Sequence, residues 1–382
     1  MLAAAPEGWQ VETALSGRGA LAALAARRFD MLITDLRVAG LGSGALLATA
    51  AMEHPDVVRM VRSAAGVERP MLAAACAHQF LAEPLDERVV VAQVARAFAL
   101  RDTLGASDVR AIVGRMTAIP TLPALYTAVA HELSRLHVSG RRIGEIVSGD
   151  PAMAAKVLQM VNSPFFGRQM RVSDPGVAVQ LLGLETIRGL VLSTHVFETF
   201  RRPARGALDI EQLWQHASSV GSIAGSLAEM EGGSAELVQD ARTAGLLHDV
   251  GKLLLVATLP VVSMRVRERA RREGRPTVDV EREEFGVTHA ELGGYLLGLW
   301  GLPDPVVEAT AWHHQAPSAA PRGSSALSFV VAANVLASVP RRRAPVTETE
   351  PLMSRLAQVL SPFGLTSRAA SWLDWTLETA AA

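Results

Sequence analysis

The hydrophobic periodicity of this chain changes once, near residue 119, and this change limits the folds that the chain can adopt. Before that point, short apolar runs typical of strands alternate with amphipathic segments typical of helices. Beyond it, apolar residues recur at intervals of three and four over long segments, which is the helical period. The sequence therefore predicts an α/β unit followed by an all-α unit.

The first unit is predicted to contain parallel strands. The segments WQVETA, FDMLITDL, DVVRMVRS and HQFLAEP have the pattern of strands, and helical segments lie between them, including a short one over ERPMLAAACA. A longer helix over DERVVVAQVARAFALRDTL closes the unit. Strands that alternate with helices favour a parallel sheet. Asp35 is expected at the end of one strand, Ser63 at the end of the next and Glu83 at the end of the last.

The stretch GLLHDVGKLLL, residues 245–255, places His248, Asp249 and Lys252 in an otherwise apolar helical run. Burial of three ionisable side chains costs several kcal/mol unless each finds a partner. Two explanations remain open. The three residues form a site for a metal and a phosphate, or they form a structural hydrogen-bond network that is the relic of such a site. Lys252 is one of only two lysines among 37 basic residues, which suggests that a compact ammonium is needed there rather than a planar guanidinium.

The composition excludes some classes of protein. With 20% charged and 49% apolar residues, the chain of 382 residues is typical of a globular protein with more than one domain. A formal net charge of -1 gives no reason to expect direct nucleic-acid binding. The single cysteine, Cys76, rules out an internal disulfide and favours a reducing compartment. No apolar run is long enough to span a membrane, so we expect a cytoplasmic protein without membrane insertion.

Over about its first 104 residues the chain resembles the receiver domain of bacterial response regulators. The resemblance implies a flavodoxin-like fold in which Asp35 is the phospho-acceptor and Ser63 the switch hydroxyl. The family's first strand and its acidic pair have no counterpart, and Glu83 stands where the family has a lysine. Because phosphoryl transfer needs positive charge, these departures make Asp35 a poor acceptor. A degenerate domain and a start codon assigned too far downstream both explain the missing strand.

The later segments IPTLP, DPAMAAKVLQMVNSPFFG, AGLLHDVGKLLL and THAELGGYLLGLWGLPDPVVEATAWHH resemble an HDOD domain. This family is an all-helical relative of the HD-type metal phosphohydrolases and occurs in bacterial signalling proteins. The resemblance implies a degenerate receiver-like domain at 1–104, a linker helix at 105–118 and an HDOD domain at 119–316. A loop and C-terminal helices at 317–382 are then expected to pack on the HDOD domain.

The resemblance also implies a metal site, with Lys252 in contact with substrate phosphate. Asn334 stands where the phosphohydrolases have their last acidic ligand, and the Gly-Tyr-Pro loop of cyclic di-GMP hydrolases is absent. Neighbouring residues of a helix point about 100° apart, so His313 and His314 are not expected to face one spot. Each histidine therefore also has a structural interpretation. The candidate ligands are His216, His248, Asp249, His289, His313 and His314.

The sequence therefore predicts a bacterial signal-transduction protein in which a receiver-like module is coupled to a non-catalytic HDOD domain. Its expected partners are other signalling proteins, including a second copy of the chain, within two-component or phosphorelay signalling. No cofactor is expected, although divalent iron, manganese or zinc suits the histidine and aspartate ligands. The alternative is a metal-dependent phosphohydrolase that acts on a cyclic dinucleotide or another phosphodiester. A metal or nucleotide sensor without turnover is a third hypothesis.

Overall fold

The structure, a computed structural model, contains a small parallel sheet flanked by helices and a larger assembly of helices. It describes residues 8–35, 38–64, 76–83, 87–104, 107–114, 119–121, 128–129, 131–133, 135, 138–162, 171–184, 186–187, 197–199, 210–315, 322–338 and 346–381.

The first part alternates helices and strands. Its elements are α1 (Gly17–Ala26), β1 (Met31–Asp35), α2 (Ser43–Glu53), β2 (Val58–Ala64), β3 (Gln79–Glu83) and α3 (Glu87–Leu104). The three strands pair in parallel in the order β1-β2-β3, with Asp35 beside Arg62 and Ala64 beside Glu83. Leu47 of α2, Met60 of β2 and Leu81 of β3 are buried in the core of this part.

Three of the four predicted strands are present as β1, β2 and β3, but the strand predicted over WQVETA is wrong. In the described part of the chain β1 pairs with β2 alone, so residues 9–14 add no strand to the sheet. Val11 is 60% exposed and Leu15 94% exposed. Residues 10–15 are exposed, so the alternating pattern has no buried face that would hold it against the sheet. Most of the short helix predicted over 68–77 lies outside the described residues.

The second part is mainly helical and begins after the connecting helix α4 (Ser107–Gly114). None of the helices in the described part combines the length and apolar character that a bilayer-spanning helix needs. The remaining elements are β4 (Ile119–Thr121), α5 (Gly140–Ser148), α6 (Pro151–Val161), α7 (Pro175–Leu182), β5 (Phe197–Thr199), α8 (Ile210–Met230), α9 (Ala235–Leu247), α10 (Val250–Thr258), α11 (Pro260–Glu273), α12 (Thr277–Phe285), α13 (His289–Leu299), α14 (Asp304–Trp312), α15 (Ala326–Leu336), α16 (Val346–Leu360) and α17 (Ala369–Ala381), with 3-10 turns at Ser361–Phe363 and Thr366–Arg368.

The all-α prediction for this part is wrong in one detail. β4 and β5 pair in parallel, with Ile119 opposite Phe197 and Thr121 opposite Thr199. Each strand has three residues. A segment of that length is too short for a period of two to be recognised against the helical pattern around it. By contrast, the sequence pair Asp150-Pro151 is typical of a helix start, and α6 does begin there, with Asp150 Oδ1 accepting hydrogen bonds from the backbone N–H groups of Ala152 and Met153.

The two parts share one buried apolar cluster, which extends from the sheet through α3 and α6 to the C-terminal helices. A polar contact reinforces it. The fully buried Arg59 of β2 donates to the carbonyl oxygens of Cys76 (2.7 Å), Val57 (3.1 Å) and, in α4, Gly114 (2.8 Å). Gln159 of α6 donates to the carbonyl oxygen of His78, 3.0 Å away. The segment that enters β3 is therefore held by both the sheet and the helical part.

Substitution of Arg59 tests this junction. Arg59→Met keeps an apolar stem but leaves three buried carbonyl oxygens without their donor. We expect the free energy of unfolding to fall by about 2–4 kcal/mol, because unsatisfied buried polar groups are costly. Urea denaturation followed by tryptophan fluorescence measures the change. Arg18→Met, at an exposed position of α1, is the matched control, and an equal loss in both variants would contradict the assignment.

Candidate metal centre

His248 and Asp249 lie in the turn between α9 and α10, and both side chains are buried. The predicted helical run is therefore broken at this pair. The turn directs the two side chains towards three other segments: α8, the start of α13 and the end of α14. Ring centroids of His248 lie 5.2 Å from His216 and 4.9 Å from His313.

The two glycines of GLLHDVGKLLL explain how the helices come so close. A Cβ atom on Gly245 would lie 2.7 Å from the Cα atom of Gly221 in α8. A Cβ atom on Gly251 would lie 1.9 Å from the carbonyl oxygen of His289. Both distances are shorter than any real contact of a Cβ atom, so only glycine fits. The motif therefore sets two helix crossings, and these crossings bring the histidines to Asp249.

Two imidazoles are oriented by the carbonyl of their own last helical turn. His248 Nδ1 donates to the Gly245 oxygen at 2.6 Å, and His313 Nδ1 donates to the Thr310 oxygen at 2.8 Å. In a neutral ring this leaves Nε2 without a proton. Burial lowers the pKa of His248 to about 3 and also lowers the pKa of His313, so both rings are neutral at pH 7. Among the described residues, neither Nε2 atom has a hydrogen-bond partner.

His289 is oriented differently, by a carboxylate. Its Nδ1 and its backbone N–H both donate to Glu281 Oε2, at 2.6 and 2.9 Å. Burial opposes a charged ring, but the Glu281 carboxylate raises the pKa of His289 above its ordinary value. On the other side of the ring, Nε2 lies 3.2 Å from Asp249 Oδ1 and 3.0 Å from His314 Nε2.

Asp249 is the centre of this arrangement. Its Oδ1 lies 3.6 Å from His313 Nε2, and its Oδ2 lies 3.4 Å from His248 Nε2. Lys252 Nζ, one helical turn along α10, donates to Oδ2 at 2.7 Å. Burial alone would raise the pKa of this carboxyl, but the positive charge of Lys252 beside it holds the pKa well below its usual range. Asp249 is therefore an anion in the folded protein.

His216 reaches the same region from α8 but has a partner of its own. Its Nε2 lies 3.0 Å from Asn334 Oδ1 of α15, within hydrogen-bond distance. Asn334 thus does lie beside the cluster, where the resemblance had suggested an acidic ligand. The hydrogen bond occupies Nε2 of His216.

The expectation that His313 and His314 cannot face one spot is wrong. α14 ends at Trp312, so both residues lie in the turn that follows and not on a regular helix. Their ring centroids are 4.1 Å apart. The potential metal ligands form two groups that share Asp249. Within each group, all ligand atoms lie within 4.8 Å of one another. The first group is Asp249, His289, His313 and His314, and the second is His216, His248 and Asp249.

These residues fit a divalent metal ion. Imidazole nitrogens and one carboxylate oxygen are suitable ligands, and in His248, His289 and His313 the ring nitrogen remote from Asp249 is held by a carbonyl or a carboxylate, as in many metal sites. In addition, unprotonated Nε2 atoms face the Asp249 carboxylate across 3.4 and 3.6 Å. Two hydrogen-bond acceptors at that distance repel each other unless a cation lies between them.

A cavity of about 280 Å³ opens beside the cluster. Lys252, Asp249, Glu281 and His216 form part of its wall, and Leu255, Val256 and Phe285 form an apolar part. The side chain of Lys252 is 28% exposed and lines this cavity. The cavity therefore leaves room for a small ligand beside the cluster.

Sequence reasoning missed Glu281. It lies in the charged segment DVEREEF, where several acidic residues are equivalent by composition. The one available signal was its spacing, because Glu281 precedes the buried Phe285 by four residues and so shares the inward face of α12.

The predicted phospho-acceptor lies in the sheet. Asp35 ends β1, and its Oδ2 accepts hydrogen bonds from Nη2 (2.6 Å) and Nε (3.0 Å) of Arg62. Ser63 and Glu83 belong to β2 and β3, and their side chains lie outside the described part.

A model of the HDOD domain matches residues 119–316. An uncharacterized protein of Treponema pallidum (strain Nichols) is 29% identical over 224 residues, or 59% of this chain. The match spans 43% of that protein, so this chain covers less than half of its length. Among solved structures, this chain is similar to the MmoQ response regulator from Methylococcus capsulatus, with a TM-score of 0.54 and 24% sequence identity. The match covers 67% of this chain and 98% of the MmoQ chain. A fragment of MmoQ (20-298) has a TM-score of 0.50 at 25% identity, covering 62% of this chain and 90% of that one.

The neutral state of His248 predicts a pH dependence of stability. Its folded pKa is about 3, against 6.5 for an ordinary histidine. Below the ordinary value the unfolded chain binds a proton that the folded chain does not, so stability is complete above that pH and falls as the pH decreases towards 3. His248→Asn can keep the bond to Gly245 but does not titrate. We expect the free energy of unfolding of metal-free protein to fall less steeply from pH 7 to pH 5 in the variant.

Urea denaturation of chelator-treated protein at several pH values measures both slopes. Above pH 7.5 the two proteins should show parallel curves, which serves as the internal control. Equal slopes below pH 7 would contradict the neutral assignment of His248.

Proposed function

The chain belongs to the HDOD domain family, and we propose that it is a signal-transduction protein whose helical domain holds a divalent metal ion without hydrolytic turnover. In this proposal residues 1–104 are a degenerate receiver-like domain and 105–118 are a linker helix. Residues 119–316 are the HDOD domain, on which the C-terminal segment 317–382 packs. The partners are other signalling proteins, which respond to the state of the HDOD domain.

One observation carries the proposal. The unprotonated nitrogens of His248 and His313 face the buried carboxylate of Asp249, and they have no hydrogen-bond partner in the part of the chain that the structure describes. A protein that keeps such groups in its core needs a cation there or accepts a large loss of stability. The ligands come from the α9–α10 turn, the start of α13 and the end of α14. Bound iron, manganese or zinc would supply positive charge to Asp249 and would cross-link these segments.

Two contacts favour a regulatory site over a hydrolytic one. Lys252 Nζ at 2.7 Å already neutralises part of the Asp249 charge. His216 is hydrogen-bonded to the uncharged Asn334, so the second ligand group lacks both a further carboxylate and a free His216 Nε2. A pair of divalent ions needs more negative charge than this to be held in a buried site.

A second function has one specific observation in its favour. The cavity of about 280 Å³ places Lys252 beside the ligand cluster, where an ammonium could bind a phosphate group. A metal-dependent phosphohydrolase that acts on a phosphodiester would use this arrangement. The same preparation of protein can distinguish the two functions.

The receiver-like assignment of the sheet is supported by its parallel order and by Asp35 at a strand end. The likeness to the MmoQ fragment, described as a response regulator, supports a signalling role. We propose that Asp35 is part of a structural ion pair here and is not phosphorylated. Arg62 holds its carboxylate, and Glu83 stands where the resemblance requires a lysine. One guanidinium then replaces the metal and the lysine that phosphoryl transfer to a carboxylate uses.

Metal analysis tests the main proposal. We expect the purified full-length protein to contain about one divalent ion per chain, since a buried site of this composition binds metal tightly. Addition of Zn²⁺ to metal-free protein should raise its melting temperature, because ligand binding to the folded state stabilises it. Asp249→Asn should lose both effects, whereas Asp279→Asn, exposed on α12, should keep them.

Hydrolysis is measured on the same loaded protein with bis(4-nitrophenyl) phosphate and cyclic di-GMP. We expect no release of product above that of the metal ion alone. Turnover that disappears in His248→Asn would favour the phosphohydrolase. A metal-free protein with no thermal response to Zn²⁺, Mn²⁺ or Fe²⁺ would contradict both functions.

Phosphorylation of Asp35 is tested with acetyl phosphate and Mg²⁺. We expect the intact mass of the wild-type protein to remain unchanged, because Arg62 holds the carboxylate. The matched control is Asp56→Asn, because Asp56 is exposed two residues before β2 and its substitution should leave the result unchanged. A phosphoryl adduct on the wild type that is absent from Asp35→Asn would show that Asp35 is an acceptor after all.

A further inference from the structure

Glu281 is a buried carboxylate that touches the cluster without being one of its predicted ligands. It is 3% exposed and lies on α12, while the cluster residues come from other elements. We infer that Glu281 is a positioning residue for the metal site: it fixes the ring of His289 so that Nε2 points at Asp249. This inference rests on the metal-binding function proposed above.

The position of His289 in its helix explains why a residue from outside is required. His248 and His313 each lie at the C-terminal end of a helix and donate Nδ1–H to a carbonyl three residues earlier. His289 is the first residue of α13, so no preceding helical turn offers such a carbonyl. Glu281 supplies the missing acceptor from α12.

The contact has two points. Glu281 Oε2 accepts from the ring Nδ1 at 2.6 Å and from the backbone N–H of the same histidine at 2.9 Å. The backbone N–H is one of the amide donors that the start of a helix leaves without an intrahelical partner. One oxygen therefore holds both the start of α13 and the orientation of the ring that α13 carries.

The charge of Glu281 has a consequence of its own. A carboxylate behind a metal-binding imidazole makes the opposite nitrogen a stronger electron donor than a carbonyl does. His248 and His313 have carbonyl partners, so His289 should be the strongest nitrogen ligand of the three. A buried carboxylate costs stability unless it is paired, and an apolar side chain would cost less at this position if packing were its only role.

The experiment compares Glu281→Gln with wild type in the full-length protein. Glutamine keeps the shape and an acceptor oxygen but removes the charge. Glu284→Gln is the matched control, since Glu284 lies on the same helix and its side chain is 37% exposed. Zn²⁺ affinity is measured by competition with a chromophoric chelator. The visible spectrum of the Co²⁺-substituted protein reports the ligand geometry, and the melting temperature of metal-free protein reports the fold.

We expect Glu281→Gln to weaken Zn²⁺ binding about 10- to 100-fold, with a shifted Co²⁺ spectrum and a metal-free melting temperature within a few degrees of wild type. Glu284→Gln should match wild type in all three. If Glu281→Gln binds Zn²⁺ as tightly as wild type with the same Co²⁺ spectrum, the inference is wrong and the metal site stands. If wild type itself binds no metal, the proposed function fails, and the inference fails with it.

If Glu281→Gln does not fold, a measurement on the wild-type protein still tests the inference. Nitrogen-15 NMR of the metal-free protein reports which nitrogen of His289 carries a proton. The contact requires a protonated, hydrogen-bonded Nδ1. An unprotonated Nδ1 would overturn the inference without any variant.

Discussion

The burial of one carboxylate, that of Asp249, determines the arrangement of the helical part. A carboxylate is stable in a protein interior only when donors or cations surround it. Here Lys252 supplies a charge at 2.7 Å, and His248, His289 and His313 approach within 3.2 to 3.6 Å. The imidazoles come from three segments, and the unprotonated nitrogens of His248 and His313 leave the charge of Asp249 only partly compensated when those segments pack together. A divalent ion bound among them would complete that requirement.

Helix ends do most of the positioning. His248 and His313 lie just after the last turns of α9 and α14, and His289 begins α13. At its opposite end α13 leads to Trp300, whose ring lies 4.8 Å from Nζ of the buried Lys156. Burial lowers the pKa of this lysine to about 7. Lys156 shares α6 with Gln159, which holds the segment entering β3. The C-terminal end of α13 is thus connected through α6 to the segment that enters β3.

The predictions from sequence were correct where they rested on a clear pattern of residues along the chain. The change of period near residue 119, the strands β1, β2 and β3, and the helix start at Asp150 could all be recognised in this way. The predictions were wrong where the local structure depended on contacts with other parts of the chain or on where an element ends. Residues 9–14 form no strand although the outer edge of β1 has no partner in the described part of the chain, and β4 and β5 are too short to be recognised alone. His313 and His314 converge because α14 ends one residue before them.

The sequence by itself determined which chemical groups are present: the His-Asp pair between two glycines, a scarce lysine, further histidines and an asparagine in place of an acid. Those facts follow from residue types and spacing along the chain, and they do not depend on the fold. Only the tertiary structure decided that the rings turn their free nitrogens to Asp249, that Asn334 engages His216, and that Glu281 supports His289. Hydrogen bonds depend on distance and direction in space, and residues far apart along the chain acquire those only when the helices pack.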